Sequence, residues 1–380
     1  MGYQIWRMRI GMFDIIVIGA GIAGVSAAAE LAADARVLLL EIEARPGMHA
    51  TGRSAAYYSP TYGNEVVQNL TAASESFFRE PPTGFTQSPL IRPRDALFVG
   101  TSEQAESMAG MQAQSPSLTA INTIDLARRV PIFKPGILTQ GLVDPVGGDL
   151  DVDAVLQGYL RMFQQRGGEL RTRSGVKGLR YQSGLWHVDL GDVEVTAAKI
   201  VNAAGAWADQ VAALGAARPL GLVPKRRTAI LLKAPSGLDI TDWPLVIDAD
   251  EQFYFKPDAG QILLSPADET PSVPCDAQPD EFDIAVAMDR LLRVVDLDIQ
   301  SISHRWAGLR TFAPDKTFVV GFDPQAKGFF WLAGQGGYGV QSAPGMAQLA
   351  RHLLLQTPLP LDYERLQESI EAVSPARLST

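Results

Sequence analysis

Three glycines and one acid near the N-terminus carry the most specific chemical signal in this chain. Gly19, Gly21 and Gly24 are spaced G-x-G-x-x-G within FDIIVIGAGIAG, between an apolar run and a stretch rich in alanine. The spacing suits a pyrophosphate. The first glycine permits a tight turn, the second removes the side chain that would hold phosphates away, and the third lets a helix pack closely on a strand. The helix N-terminus then offers free N–H groups and a positive dipole end to the anion. Glu41 comes 22 residues after Gly19, at the end of the apolar run Val37–Leu40. An acid there accepts hydrogen bonds from a ribose 2′-hydroxyl. A dinucleotide is the expected ligand, and this motif alone does not separate FAD from NAD.

Other residue types point to where such a ligand would run and what would meet it. Val201-Asn202-Ala203-Ala204-Gly205-Ala206-Trp207 ends a second apolar segment in small residues, and GQGGYGVQ, 334–341, is a third bare turn. Each later turn reads equally as close strand-to-helix packing, but three of them across the chain suggest one long ligand touched at several places. Arg227 and Arg310 carry the planar fork that orients a carboxylate, for which lysine is a poor substitute. Arg227 closes the run Lys225-Arg226-Arg227, which by itself reads as solvated charge or a phosphate patch. Tyr62 and Tyr254 are either pocket or core residues with locally satisfied hydroxyls. His49 is expected to hold a structural hydrogen bond to backbone or ligand rather than to act as a base. Cys275 is the sole cysteine, so neither an intramolecular disulfide nor a cysteine metal cluster can form, and the four histidines show no metal-ligand spacing.

The elements that must position these residues follow from periodicity. Asp14 to Ile18 predicts a buried strand, Ile22 to Ala33 a helix and Val37 to Leu40 a second strand: a βαβ unit of a parallel sheet. Helices are expected over 151–165 and 280–295, and a strand over 200–203. Val188 to Leu190 and Val193 to Val195 suggest a hairpin turning at Gly191-Asp192. FYFKPDAGQILLS suggests another across Asp258-Ala259-Gly260. From Thr228 to Ala267 the texture shifts to short strands split by Pro, Asp and Gly. The expectation is an α/β nucleotide domain made of separated segments, with an antiparallel-sheet domain inserted between them.

The 380 residues are 46% hydrophobic and 20% charged, which allows a large core and argues against disorder. A formal charge of −9 argues against nucleic acid or an anionic membrane surface as partner, while leaving room for a local basic pocket. No apolar run approaches the roughly eighteen residues of a membrane helix. Residues 1–11 are expected to form an extension outside the fold, with a weak targeting segment as the alternative. The single cysteine fits a reducing compartment, the cytoplasm. A monomer is expected, since no coiled coil is evident.

Taken together, FDIIVIGAGIAG, TGRSAAYY, IVNAAGAWAD and GQGGYGVQ resemble the FAD-dependent amine oxidoreductases of the D-amino-acid oxidase superfamily, which includes the glycine and sarcosine oxidases. Within it the nearest likeness is to the D-arginine dehydrogenases. The resemblance runs from Phe13 to Leu378 and is most specific in TGRSAAYYSPTYG, LVPKRRTA, FYFKPDAG, WAGLRTFAPD and GFFWLAGQGGYGVQS. It implies a mixed fold (α/β plus α+β). A Rossmann-like FAD-binding domain would comprise 13–57, 148–217 and 305–380, and an inserted antiparallel-sheet substrate domain 58–147 and 218–304. Gly19, Gly21, Gly24 and Glu41 would hold the adenosine diphosphate half of FAD, with Gly205 also in the cofactor site. Thr51, Arg53, Ser54 and Ala55 would pass along the isoalloxazine ring, and Gly336, Gly337 and Gly339 would face its N1–O2 edge. Arg227 and Arg310 would grip the substrate carboxylate, Tyr62 and Tyr254 would close the pocket, and Gln341 would lie beside flavin and substrate.

The implied reaction is oxidation of a D-amino acid by hydride transfer to flavin N5, giving an imino acid that water hydrolyses to a 2-oxo acid and ammonia. Secondary amino acids or 2-hydroxy acids are the alternative substrates. Cys275 lies outside the C-terminal segment where sarcosine oxidases tether FAD, so the cofactor is expected to be non-covalent. Oxygen and a quinone-type acceptor are both open as the oxidant. The sequence departs from the D-arginine dehydrogenases at Ala96, where those proteins carry an acid that reads the substrate guanidinium. Asp95 is adjacent, but neighbouring strand residues face opposite ways. Ala96, Leu245 and Ile247 are therefore expected to make an apolar side-chain pocket, with preference no longer restricted to arginine.

Overall fold

The computed structural model describes residues 9–115, 117–215 and 217–378. One sheet of eight strands is built around the N-terminal strand Arg9–Ile18. Its order is Gly178–Gln182, Leu185–Asp189, Glu194–Asn202, Arg9–Ile18, Val37–Leu40, Glu169–Arg171, with Phe329–Ala333 paired to Glu194–Asn202 and Val319–Phe322 paired to Phe329–Ala333. The pairs flanking Arg9–Ile18 are parallel, as the βαβ pattern requires. Glu194–Asn202 is shared. Its first half pairs antiparallel with Leu185–Asp189, and its last residues, 200–202, pair parallel with Phe329–Ala333. The hairpin expected at Gly191-Asp192 is that antiparallel pair.

The alanine-rich helix Ile22–Leu31 is buried at nine of its ten positions. Its small side chains let it pass between the sheet and the helices Val152–Gln165 and Ala343–Leu355, so it is covered on every side. Val152–Gln165 starts where Asp151 accepts the Ala154 N–H at 2.9 Å, and Glu281–Val294 where Asp280 accepts from Phe282.

A second sheet of nine strands runs in the order Thr270–Pro271, Val223–Lys233, Gln261–Ser265, Tyr254–Asp258, Leu245–Asp248, Ala96–Gly100, Gln140–Asp144, Thr119–Ile121, with Ile302–Phe312 paired to Val223–Lys233. The hairpin Tyr254–Asp258/Gln261–Ser265 turns at Ala259 and Gly260, both at positive φ (47° and 76°), the mirror-image turn that matches strand twist. A small three-stranded sheet, Tyr57–Tyr58, Gly148–Leu150 and Ile91–Pro93, completes the set.

Three details differ from the sequence-based expectation. The first strand begins at Arg9 and pairs Arg9 with Glu194, so 9–11 belong to the sheet, while the rest of the expected extension, 1–8, lies outside the described residues. The boundary expected at 305 falls inside Ile302–Phe312, a strand of the second sheet. The helices Glu65–Ala73 and Glu75–Arg79 fall within the segment expected for the substrate domain. Their Val67, Leu70 and Phe78 instead pack with Ile15, Val17 and Leu39 in the first sheet's core. Among the described residues no helix is long and apolar enough to cross a membrane.

Candidate active site

A cavity of about 440 Å³ opens between the two large sheets, and the glycine motif walls one end of it. Gly19 has φ +102°, and a Cβ there would stand 2.5 Å from the Ala203 carbonyl oxygen. A Cβ on Gly24 would stand 1.9 Å from the Gly19 oxygen, so strand and helix touch through bare backbone. The amides of Gly21 and Ala23, which have no partner within the helix, belong to the wall.

Glu41 shapes this loop as well as bordering the cavity. Its carboxylate accepts from the N–H groups of Ala20 (2.8 Å) and Glu43 (2.9 Å). Thr51 stands at the start of Ile22–Leu31, where its Oγ1 accepts the Ile22 N–H at 2.9 Å and supplies the side-chain cap that Gly21 lacks. Arg53 reaches the second sheet. Its Nη1 donates to the carbonyls of Ala277 and Ala307, each at 2.9 Å, and its Nη2 pairs with Asp276. Ser54, Ala55 and Gly205 lie in the wall.

The cavity's chemistry fits FAD. Three buried polar atoms on its lining residues have no protein partner: His49 Nδ1, Thr311 Oγ1 and Gln335 Nε2. A ligand dense in donors and acceptors satisfies such atoms, and a purely apolar one would leave their desolvation uncompensated. The bond expected of His49 goes to a side chain, with Nε2 donating to Glu43 Oε1 at 2.9 Å, and the ring rests on Trp207 at 4.6 Å between centroids. Cys275 also lines the cavity, although it is far from the C-terminal turn in sequence.

The other end is cationic. Strand register places Lys225 opposite Arg310 and Arg227 opposite Gly308. With side chains alternating across a strand, Lys225, Arg227 and Arg310 therefore share one face. Arg227 is buried, its Nε donating to the Asp268 carbonyl at 2.9 Å and its Nη2 standing 3.5 Å from Glu269 Oε1. Among the described residues no carboxylate lies within ion-pairing distance of Arg310. Its guanidinium sits against the C-terminal turn, where a Cβ on Gly337 would come 2.9 Å from Nη1. Burial opposes the charge on Arg310, but Tyr254, Tyr62, Tyr338 and Glu269 around it hold its pKa above the usual value. Gly336, at φ +53°, donates its N–H to the Thr311 carbonyl at 2.8 Å and lies over Phe312.

Tyr254 borders the cavity beside both arginines, with the Arg227 guanidinium 6.0 Å from its ring centre. Burial alone would raise its pKa, yet Arg310 and Arg227, with hydrogen bonds to Ser265 and Arg227, bring it below the ordinary phenol range. Tyr62 stands outside the lining residues, its ring tilted against Tyr338 at 5.1 Å between centroids and its hydroxyl donating to Glu251 at 3.4 Å. Burial, Tyr338 and Glu251 raise its pKa far above the ordinary value, while Arg310 and Arg227 act in the opposite sense.

Gln341 is buried outside the cavity wall, its Oε1 accepting the Ser59 N–H at 3.0 Å and its Nε2 donating to Thr71 Oγ1 at 3.0 Å. All of its amide is used in tying the C-terminal turn to Ser59 and to Thr71 of the helix Glu65–Ala73. Ala96, Leu245 and Ile247 are also absent from the cavity wall. Register nonetheless sets them on the same sheet face as Tyr254, since Ile247 pairs with Tyr254 and Leu245 with Ala96. Asp95 is occupied elsewhere, held by Arg129 at 2.6 Å. Lys225 and Arg226 are not free surface charges: Lys225 pairs with Glu269 at 2.7 Å and Arg226 with Asp283 at 2.7 Å.

Glu269, Glu43, Trp207 and Tyr338 complete the site and were not singled out from sequence. Tyr338 had a visible signal, an aromatic inside the bare turn GQGGYGVQ. Glu269 had none beyond its place at a strand edge.

A family model described as "FAD dependent oxidoreductase" matches residues 14–353. L-2-hydroxyglutarate dehydrogenase of Escherichia coli is 29% identical over 231 residues, 56% of this chain and 51% of that protein. Human mitochondrial dimethylglycine dehydrogenase is 23% identical over 389 residues, 94% of this chain and 44% of that protein. The chain thus spans about half the length of these two relatives. The crystal structure of glycine oxidase from Geobacillus kaustophilus superposes with a TM-score of 0.80 at 19% identity, covering 93% of this chain and 97% of that one. At that identity the likeness is one of fold.

Proposed function

The chain belongs to the DAO family of FAD-dependent oxidoreductases, and from its cationic cavity end we propose that it oxidises an α-amino acid of D configuration to the imino acid, which water converts to a 2-oxo acid and ammonia. The single observation that carries the amino-acid reading is Arg310, a guanidinium in the cavity wall with no carboxylate partner among the described residues, facing Arg227 and Tyr254. When bound, FAD supplies the acceptor for the hydride that leaves the substrate's Cα.

The chain's own residues hold the substrate for that step. Arg310 and Arg227 orient the carboxylate, which fixes the Cα–H direction. No protein base is needed if the bound zwitterion gives its amine proton to water before the hydride leaves, which agrees with a His49 already engaged by Glu43. The D configuration is supported by the motif resemblance alone. A preference wider than arginine is supported by Ala96, Leu245 and Ile247 on the face beside Tyr254, and by Asp95 being held by Arg129. The comparisons do not carry the finer likeness to D-arginine dehydrogenases. A secondary amino acid or a 2-hydroxy acid is the second reading, favoured by the dimethylglycine and L-2-hydroxyglutarate dehydrogenases among the relatives.

The test is to purify the yellow protein and mix it, without oxygen, with D-amino acids, L-amino acids, N-methyl amino acids and 2-hydroxy acids. Apolar D-amino acids are expected to bleach the flavin band fastest, and acid precipitation to release the flavin as a non-covalent cofactor. Bleaching by hydroxy or N-methyl acids with none by D-amino acids would select the second reading.

The pH dependence should be bell-shaped. As the substrate amine loses its proton, kcat/KM rises. It falls again as Tyr254 ionises, because a phenolate beside Arg310 and Arg227 competes with the substrate carboxylate. Since the folded pKa of Tyr254 is lowered, the falling limb is expected at lower pH than an ordinary tyrosine gives, and Tyr254→Phe should push it upward. An unchanged alkaline limb in that variant would remove Tyr254 from the account. The corresponding stabilisation of the fold is present above the ordinary phenol pKa and lost as pH falls through the lowered one, so it adds nothing near neutrality.

A further inference from the structure

The arginines of the clamp are not equivalent. Among the described residues Arg310 faces the cavity with no acid at ion-pairing distance, whereas Arg227 shares its charge with Glu269 at 3.5 Å. The other oxygen of that carboxylate is 2.7 Å from Lys225 Nζ, which also stands 5.2 Å above the Phe312 ring. The neighbouring Asp268 is turned away. Its carboxylate accepts from the Thr228 N–H (2.6 Å) and Oγ1 (3.1 Å). Glu269 also borders a second, outer cleft of about 560 Å³ whose charged lining is Glu251, Asp268, Glu269, Asp283 and Arg290. In that lining Asp283 and Asp268 are paired with Arg226, whereas Glu269 is turned to Lys225 and Arg227.

We propose that Glu269 is a specificity-determining residue that biases the clamp against net-negative ligands, 2-hydroxy and 2-oxo acids, and toward zwitterionic amino acids. The inference rests on the reading that Arg227 and Arg310 hold the substrate carboxylate. A carboxylate one guanidinium away from a bound anion repels it, while a zwitterion, with no net charge, responds little to the same field. Lys225 partly offsets Glu269 and so acts in the opposite sense. The product of amino-acid oxidation, a 2-oxo acid, is itself an anion, so the same residue would favour its departure. Burial raises the pKa of Glu269, but Lys225, Lys316 and Arg227 together bring it below the usual carboxylate value, so it stays ionised through the neutral range.

The holoenzyme can be titrated with two ligands of one skeleton, read by the change in the flavin's visible spectrum. One is 2-aminoisobutyrate, a zwitterion with no Cα–H to lose, and the other is isobutyrate, its amine-free anion. Glu269→Gln keeps the shape and a hydrogen bond to Lys225. It is expected to tighten isobutyrate about ten-fold, a Coulomb effect discounted for a carboxylate one-third exposed, and to change 2-aminoisobutyrate by less than about three-fold. Lys225→Gln should weaken isobutyrate binding. The proposal is overturned if Glu269→Gln leaves the ratio of the two affinities unchanged, or if both variants shift isobutyrate in the same direction, as mere loosening of the strand would. If neither ligand perturbs the flavin of the unsubstituted protein, the carboxylate clamp itself fails, and the role of Glu269 falls with it.

Discussion

Arg310→Met is expected to lower kcat/KM for the best amino-acid substrate by about a thousand-fold while the purified protein stays yellow. Removing one partner of a buried charged pair costs about 2–5 kcal/mol, much of it from the group left unpaired. Here the loss falls at the upper end because Arg227, the remaining cation, is already shared with Glu269. Methionine fills much of the volume of the arginine stem beside Gly337, so the C-terminal turn should keep its shape. Arg310→Lys keeps the charge but loses the fork, and should recover only part of the rate. A methionine variant within ten-fold of the parent would mean the carboxylate is held elsewhere.

The second large effect is expected at Gly24. One methyl group there would sit 1.9 Å from the Gly19 carbonyl oxygen, a contact no rotamer change can relieve because both partners are backbone. The helix Ile22–Leu31 must then move off its strand, and it is packed on every side by the core. Gly24→Ala should destabilise the protein by about 3 kcal/mol, within the range for overpacked cores, and should purify with little or no flavin. Thermal unfolding and the visible spectrum check the two parts separately. An alanine variant that is fully yellow with an unchanged melting temperature would show that the strand–helix contact is looser than described.

Much of this was legible in the residues. The βαβ unit, the helices capped by Asp151 and Asp280 and the two hairpins are local patterns of period and turn chemistry, and each appears where its residues put it. Gly19, Glu41, Arg227, Arg310 and Tyr254 come together in one cavity wall. What the sequence does not show is non-local. Gln341 sits in a motif that reads as ligand-facing, but its amide is spent on Ser59 and Thr71. Nothing in the sequence near 341 reveals such partners. Ala96, Leu245 and Ile247 share the sheet face of Tyr254 but not the cavity wall, because parity fixes which side a residue faces and not how far along the sheet a cavity reaches. The shift of Glu65–Ala73 into the first sheet's core has the same origin, since amphipathicity says that a face is buried and not against what.

The tie between Ser59 and Gln341 joins two parts of the chain that lie 282 residues apart in sequence, and it has a consequence for how the molecule is made. A polypeptide emerges N-terminus first, at roughly 5–20 residues per second. The phosphate-binding turn is thus synthesised tens of seconds before the turn at Gly336–Gly339 that closes the other end of the same cavity. Through that interval the growing chain presents a bare helix end and half a sheet with no wall opposite. The cavity cannot be closed until the turn at Gly336–Gly339 has been made, because that turn supplies the wall opposite the phosphate-binding loop.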